Sequence, residues 1–217
     1  FGFAGIASAT VLVPLLALAI ALCIRGVQPV RAERKPFHHV VGLVKLPGLA
    51  LTLSSFGYAV IHAFVALLWV DRGWGSASLA FTSLGVGFIV ARLLVGHLPD
   101  RLGGARVGAW CVAVEAVGQL LIWGAGSEAV ACVGSALTGA GYALAFQGFG
   151  VEAVRRTPPQ SRGAAMGGYV VFQDLSMAAS GPLGGWLALH AGLGSVYLAG
   201  ALGSLAAVAL AIWMQRR

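Results

Sequence analysis

Charge is what this sequence has least of: acidic and basic residues together fill 10% of 217 positions, where a water-soluble domain carries about a quarter. Hydrophobic residues make up 59%, and the mean hydropathy is +0.88. Such a balance argues against a water-soluble fold. Cysteine is scarce too, and Cys23, Cys111 and Cys132 sit inside apolar runs without metal-type spacing. That excludes a disulfide framework and a zinc site, and no metal or cofactor is expected. Lys35 and Lys45 are the only lysines, and both lie in a polar stretch outside the apolar runs. A retinal-type photoreceptor would therefore have no Schiff-base residue. The chain opens on Phe1 rather than Met, with no charged leader and no cleavage site. The expectation is that an upstream portion is missing, not that a signal peptide is present.

What is present is segregated. Apolar runs of about 20 residues, long enough to cross a hydrocarbon core of about 30 Å, alternate with short loops that hold nearly all the arginine. Seven spans can be drawn, near 2–24, 47–70, 77–96, 105–124, 128–150, 162–190 and 193–214. The fold class is thus an all-α, polytopic transmembrane bundle. The 32 glycines lie among Ala, Leu and Val, where small residues let membrane helices approach closely.

The net charge of +7 and pI near 10.0 come from arginines dispersed among loops, so membrane topology explains them and no nucleic-acid partner is expected. The connections Arg25–Lys45, His97–Arg106 and Val151–Arg162, and the terminal Arg216 and Arg217, form one basic set. The positive-inside rule puts that set and the C-terminus in the cytoplasm and Phe1 near the outer surface. Residues 26–46 are the one long polar linker; His38 and His39 within it lack spaced metal-binding partners. Before the linker stands a single helix, 1–25. After it, 47–217 holds six spans, divisible into two groups of three as in inverted-repeat transporter halves.

Helical arithmetic gathers small residues into stripes. Gly163, Gly167, Asp174, Ala178, Gly181 and Gly185 recur at three, four or seven residues and share a face. Gly85, Ile89, Arg92 and Gly96 do so in the third span, and Gly134, Thr138, Gly141, Ala145 and Gly148 in the fifth. Each stripe predicts tight helix contact. Pro14 and Pro182 lie inside spans as candidate flex points.

The most specific local pattern runs from Gly96 through Asp100 and Arg101 to Gly103, Gly104 and Arg106. It resembles the Gly-x-x-x-Asp-Arg-x-Gly-x-Arg loop of the major facilitator superfamily, against the alternative of an ordinary basic turn. A second stretch, Gly139–Gly163 continuing through Phe172, Gln173 and Asp174 to Gly185, is similar to the tenth and eleventh helices of bacterial facilitator-type exporters, closest to sugar-efflux and drug-efflux subgroups. Gln147 departs from it, where proline is expected after Phe146; Arg155 and Arg156 read as topogenic. The resemblance implies the C-terminal half of a twelve-helix carrier in a bacterial inner membrane, with 1–25 the last helix of the missing N-terminal half. It implies alternating access rather than enzymatic chemistry, with the lipid bilayer and a small-molecule substrate as partners, and the intramembrane carboxyl of Asp174 adds protons as the expected coupling ion. Proton-coupled efflux is the expected activity; uptake by symport and a non-transporting scaffold or sensor are the alternatives.

On that resemblance Gly96, Asp100, Arg101, Gly103 and Arg106 form the gating motif. Ionisable groups inside a bilayer are costly and require partners. Asp174 lies about 18 Å along its helix, near mid-bilayer; low dielectric disfavours its charge, so it is either a proton carrier or a structural carboxyl that ties helices together. Glu115 is expected to pair with Arg92, with Gln119 one turn on. Tyr58, His62, Tyr142, Gln147, Tyr169, Phe172 and Gln173 lie on spans that would surround the central cavity, each weighed against ordinary interhelical packing.

Overall fold

A computed structural model describes residues 3–23 and 37–216, so the polar stretch 24–36, most of the expected linker, lies outside the described residues. The chain divides into two units, Phe1–Glu33 and Arg34–Arg217. The first holds one helix, α1 (Phe3–Cys23), with Pro14 inside it. The second holds α2 (Phe37–Asp71), α3 (Ser78–Val95), a short α4 (Leu98–Leu102), α5 (Gly104–Trp123), α6 (Glu128–Arg155), α7 (Arg162–Ala191) and α8 (Leu193–Gln215). No strand occurs among the described residues.

Every expected span coincides with a helix, but not every helix is equally apolar. Five are long and apolar enough to cross a membrane: Val41–Asp71 of α2, and α3, α5, α6 and α8. The apolar part of α1, Ala7–Cys23, is shorter. At 30 residues α7 has ample length, yet it is not among the five, because Asp174, Ser176, Ser180 and six glycines dilute its apolar surface. A polar helix at bilayer depth must turn those groups toward protein or a cavity. The second helix also begins at Phe37, ten residues before the apolar run, and passes through Pro47. Neighbouring helices can absorb the lost backbone bond at such a proline.

Helix α6 occupies the middle of its side of the bundle, packed on α5 by one face and on α3 by another. Glycines make both contacts. Toward α5, a Cβ on Gly118 would lie 2.6 Å from the Gly134 carbonyl oxygen, and one on Gly148 would lie 2.7 Å from that of Gly104. Toward α3, Cβ atoms on Gly87 and Gly139 would run into the carbonyls of Ala136 and Leu84. The fifth-span stripe, Gly134 to Gly148, is thus the buried seam it was expected to be. On the other side α2 packs on α7 and α8. Exchanging the triplets α2-α3-α5 and α6-α7-α8 maps the α3–α6 contact onto α7–α2 and the α5–α6 contact onto α8–α2, the relation a repeated three-helix unit produces.

The stripe on α7 behaves differently. Nothing in this unit comes within 4 Å of a Cβ placed on Gly163, Gly167, Gly181 or Gly185, and Asp174 and Ala178 are exposed. The α3 stripe is likewise open at Gly85, and Ile89 is exposed. The expected tight contacts are absent from these two faces, because in this unit α3 turns its other side to α6 and α7 turns its other side to α2.

Polar caps close the ends. At one end the Trp69 indole donates to Glu128 (3.1 Å), Arg72 donates to the Ala125 carbonyl (3.2 Å), and Trp69 and Trp74 meet edge to face. At the opposite, basic end Arg156 pairs with Glu152 (2.7 Å) and reaches the Met214 carbonyl, while Gln215 donates to the Ala105 carbonyl.

Candidate functional site

The loop after α3 is built by helix-ending residues. Gly96 caps α3, its N–H donating to the Arg92 carbonyl at 3.1 Å. After α4 the chain reverses at Gly103, whose φ of +94° is disfavoured for residues with a Cβ, and α5 starts at the next residue. This places Asp100, Arg101 and Arg106 on the basic end, all exposed. Asp100 and Gly96 share a cleft of about 400 Å³ with Gln147, Arg155 and Met166. Arg106 and Gly103 line a second cleft of about 670 Å³, which also meets Arg155, Arg156 and Glu152. The loop and the end of α6 are therefore one charged cluster, in which Arg155 belongs to both clefts.

Inside the bundle the fully buried carboxyl of Glu115 accepts a hydrogen bond from the Ser54 hydroxyl at 2.5 Å. Its expected partner, Arg92, is exposed on α3, which is packed on α6 rather than on the α2–α5 contact that holds Glu115. The pairing of Glu115 with Arg92 is thus corrected: α6 stands between the two helices. Gln119 donates to the Gly57 carbonyl at 2.6 Å. Close helix approach explains why Gly57 is a glycine, since a Cβ there would lie 3.1 Å from Glu115 Oε1.

One step along α2, Ser55 and the Tyr142 hydroxyl lie 3.3 Å apart. The Tyr142 ring stacks on Tyr58, with centroids 4.1 Å apart and planes 15° from parallel, and Tyr58 in turn meets His62 at 4.7 Å. Tyr58 and His62, with Ala59, Ala63, Met177 and Ser180, line a cleft of about 490 Å³ between α2 and α7. Asp174 is on the same side of α7 as Met177, three residues away. The remaining candidates separate from this group. Tyr169 is fully buried and donates to the Phe146 carbonyl at 2.7 Å. Phe172 packs over Gly48, and its carbonyl accepts from Thr52 at 3.0 Å. Gln147 faces the basic-end cleft, and Gln173 is half-buried.

Several site residues escaped the sequence reading. Met177 and Ser180 line the cleft, Ser54 serves Glu115, and Ser176 donates to the Thr52 carbonyl at 2.7 Å. The available signal was the run of mid-span hydroxyls, Thr52, Ser54 and Ser55 on α2 and Ser176 and Ser180 on α7, since hydroxyls at bilayer depth join helices.

The sequence profile of the Major Facilitator Superfamily matches residues 47–217. An uncharacterized MFS-type transporter of Pseudomonas aeruginosa is 46% identical over 188 residues, 87% of this chain and 47% of that protein. The MFS-type transporter YhhS of Salmonella typhi is 39% identical over 216 residues, 100% of this chain and 53% of its own length. The chain thus spans about half the length of the relatives it matches. Among solved structures, a mutant of the peptide transporter POT bound to alafosfalin shares the fold, with a TM-score of 0.69 at 14% identity over 84% of this chain and 42% of that one. On the profile match and these relatives, the chain belongs to the Major Facilitator Superfamily.

Proposed function

We propose that this chain is the C-terminal half of a secondary transporter that moves a small solute by alternating access, with protons driving efflux across a bacterial inner membrane. The observation that carries the reading is the open face of α7. Asp174 stands exposed one helical turn from Met177, which lines a cleft with Tyr58, His62 and Ser180, and it lies on a stripe of glycines that nothing in this unit covers. A carboxyl at mid-helix does not face lipid, so this face belongs to a central pathway shared with the rest of the protein. Aromatic rings and a few hydroxyls around an apolar cleft suit a small amphipathic solute.

In this scheme the bundle rocks about the central site. Asp100, Arg101 and Arg106 beside Arg155 make and break the cytoplasmic contacts that hold one gate state. The intact protein reconstituted in vesicles, given an outward or inward pH gradient and candidate solutes, tests the proposal. Solute moving against the proton flow supports efflux by exchange. Movement in the same direction would replace it with uptake, and no solute flux under either gradient would reject transport.

A further inference from the structure

The basic-end cleft is built for something other than the carried solute. Its walls are the start of α5 and the ends of α6 and α8, with Leu102, Arg106, Arg155, Arg156 and Glu152 among its lining residues. Among the described residues Glu152 is the only acid lining it, and it is already paired with Arg156 at 2.7 Å. Arg106 and Arg155 are exposed and enter no ion pair among the described residues. The first turn of α5 also points its positive end here, with no side-chain cap from Gly103 and no acidic residue. The site has unspent positive charge and about 670 Å³ of room.

An apolar strip continues from it. Arg106, Trp110, Val114 and Val117 follow one another at four, four and three residues, one side of α5. Trp110 is 57% exposed, Val114 40% and Val117 51%. From Arg106 to Val117 the rise is about 16 Å, roughly the hydrocarbon depth of one leaflet. Leu102, at the cleft mouth, is 43% exposed. A soluble anion would use the arginines and ignore the strip. A phospholipid uses both, its phosphate between the arginines and its acyl chains along α5. Tryptophan at that level suits the membrane interface.

We infer that this cleft is a binding site for one anionic phospholipid, held by Arg106 and Arg155 at the headgroup and by the Trp110–Val117 face of α5 along its chains. Basic pockets between helices near the basic side of a membrane protein recognise such headgroups. The inference is read by binding alone, so its test is independent of the transport reading, in which the same two arginines contribute to the gate.

The test is native mass spectrometry of the intact, delipidated protein in detergent, titrated with phosphatidylglycerol or with phosphatidylcholine of the same acyl chains, with and without excess sodium phosphate. At about fivefold per arginine, phosphatidylglycerol should bind roughly 25-fold more tightly than phosphatidylcholine. The Arg106→Gln/Arg155→Gln variant should lose that preference, Arg72→Gln at the other end should keep it, and phosphate should not compete. Equal affinity of the wild type for the two lipids overturns the inference without any variant having to fold. So does a preference that survives the double variant, or phosphate displacing the lipid, which would make the cleft a soluble-anion site.

Discussion

Glu115 and Ser54 meet across the α2–α5 contact, the hydroxyl donating to a carboxyl that has no exposure and, among the described residues, no ion-pair partner. An acid in this setting acts as a hydrogen-bond partner between helices, and its removal exposes what it satisfies. Glu115→Gln keeps an acceptor for Ser54 and should shift unfolding by no more than about 1 kcal/mol. Glu115→Ala leaves Ser54 unpaired beside a void and should cost about 2–4 kcal/mol. Denaturant unfolding of the purified intact protein in detergent reads both, and equal losses for the two variants would contradict this role.

The glycine stripes separate packing from pathway. Gly118→Ala places a methyl group 2.6 Å from the Gly134 carbonyl and should destabilise the protein by about 1–3 kcal/mol. Gly167→Ala meets nothing in this unit, so folded yield should hold while flux falls. Yield by size-exclusion chromatography together with vesicle transport distinguishes them; a matching loss of yield at both positions would count against an open α7 face.

Asp174 carries the proposed coupling. Asp174→Asn should abolish flux driven by a pH gradient and leave solute exchange without a gradient within a few-fold of wild type. Unaltered gradient-driven flux in a folded variant rejects the proton role and leaves Asp174 as a helix-joining carboxyl.

The aromatic stack gives a graded prediction. Tyr58→Ala removes a partner from the ring pair with Tyr142, a loss of about 0.5–1.5 kcal/mol. The half-saturating solute concentration should rise about two- to twelvefold. Tyr169→Phe removes only a buried bond to the Phe146 carbonyl and should lower stability by about 1 kcal/mol with unchanged affinity. Concentration-dependent vesicle uptake and thermal unfolding separate the two.

Topology is tested by labelling. In a background with Cys23, Cys111 and Cys132 replaced by alanine, Arg101→Cys and Arg155→Cys should react with a membrane-impermeant maleimide only after permeabilisation, and Arg72→Cys in intact cells. Labelling of Arg101→Cys and Arg155→Cys from opposite sides would overturn the threading.

Much of this was legible in the residues alone. The lengths of the apolar runs set the helices, because backbone groups in hydrocarbon must bond within their own segment. The Gly96–Arg106 pattern placed a tight reversal between α3 and α5, and Gly103 provides it with a φ of +94°. The helical start at Phe37 was not legible, because polar residues can extend a membrane helix into the interface without leaving an apolar signature.

By itself the sequence determined which segments are helical and which residues share each helix's sides, since both follow from 3.6-residue periodicity and from the cost of burying charge. Only the tertiary structure decided what each side meets. The stripes on α6 and α7 are alike as text, yet the first is buried on α5 and the second stands open. Glu115 likewise found Ser54 rather than Arg92. Periodicity defines a face, but the rotation of each helix about its axis and the order of its neighbours depend on how the whole set of side chains packs together, and that is a property of the bundle rather than of any one span.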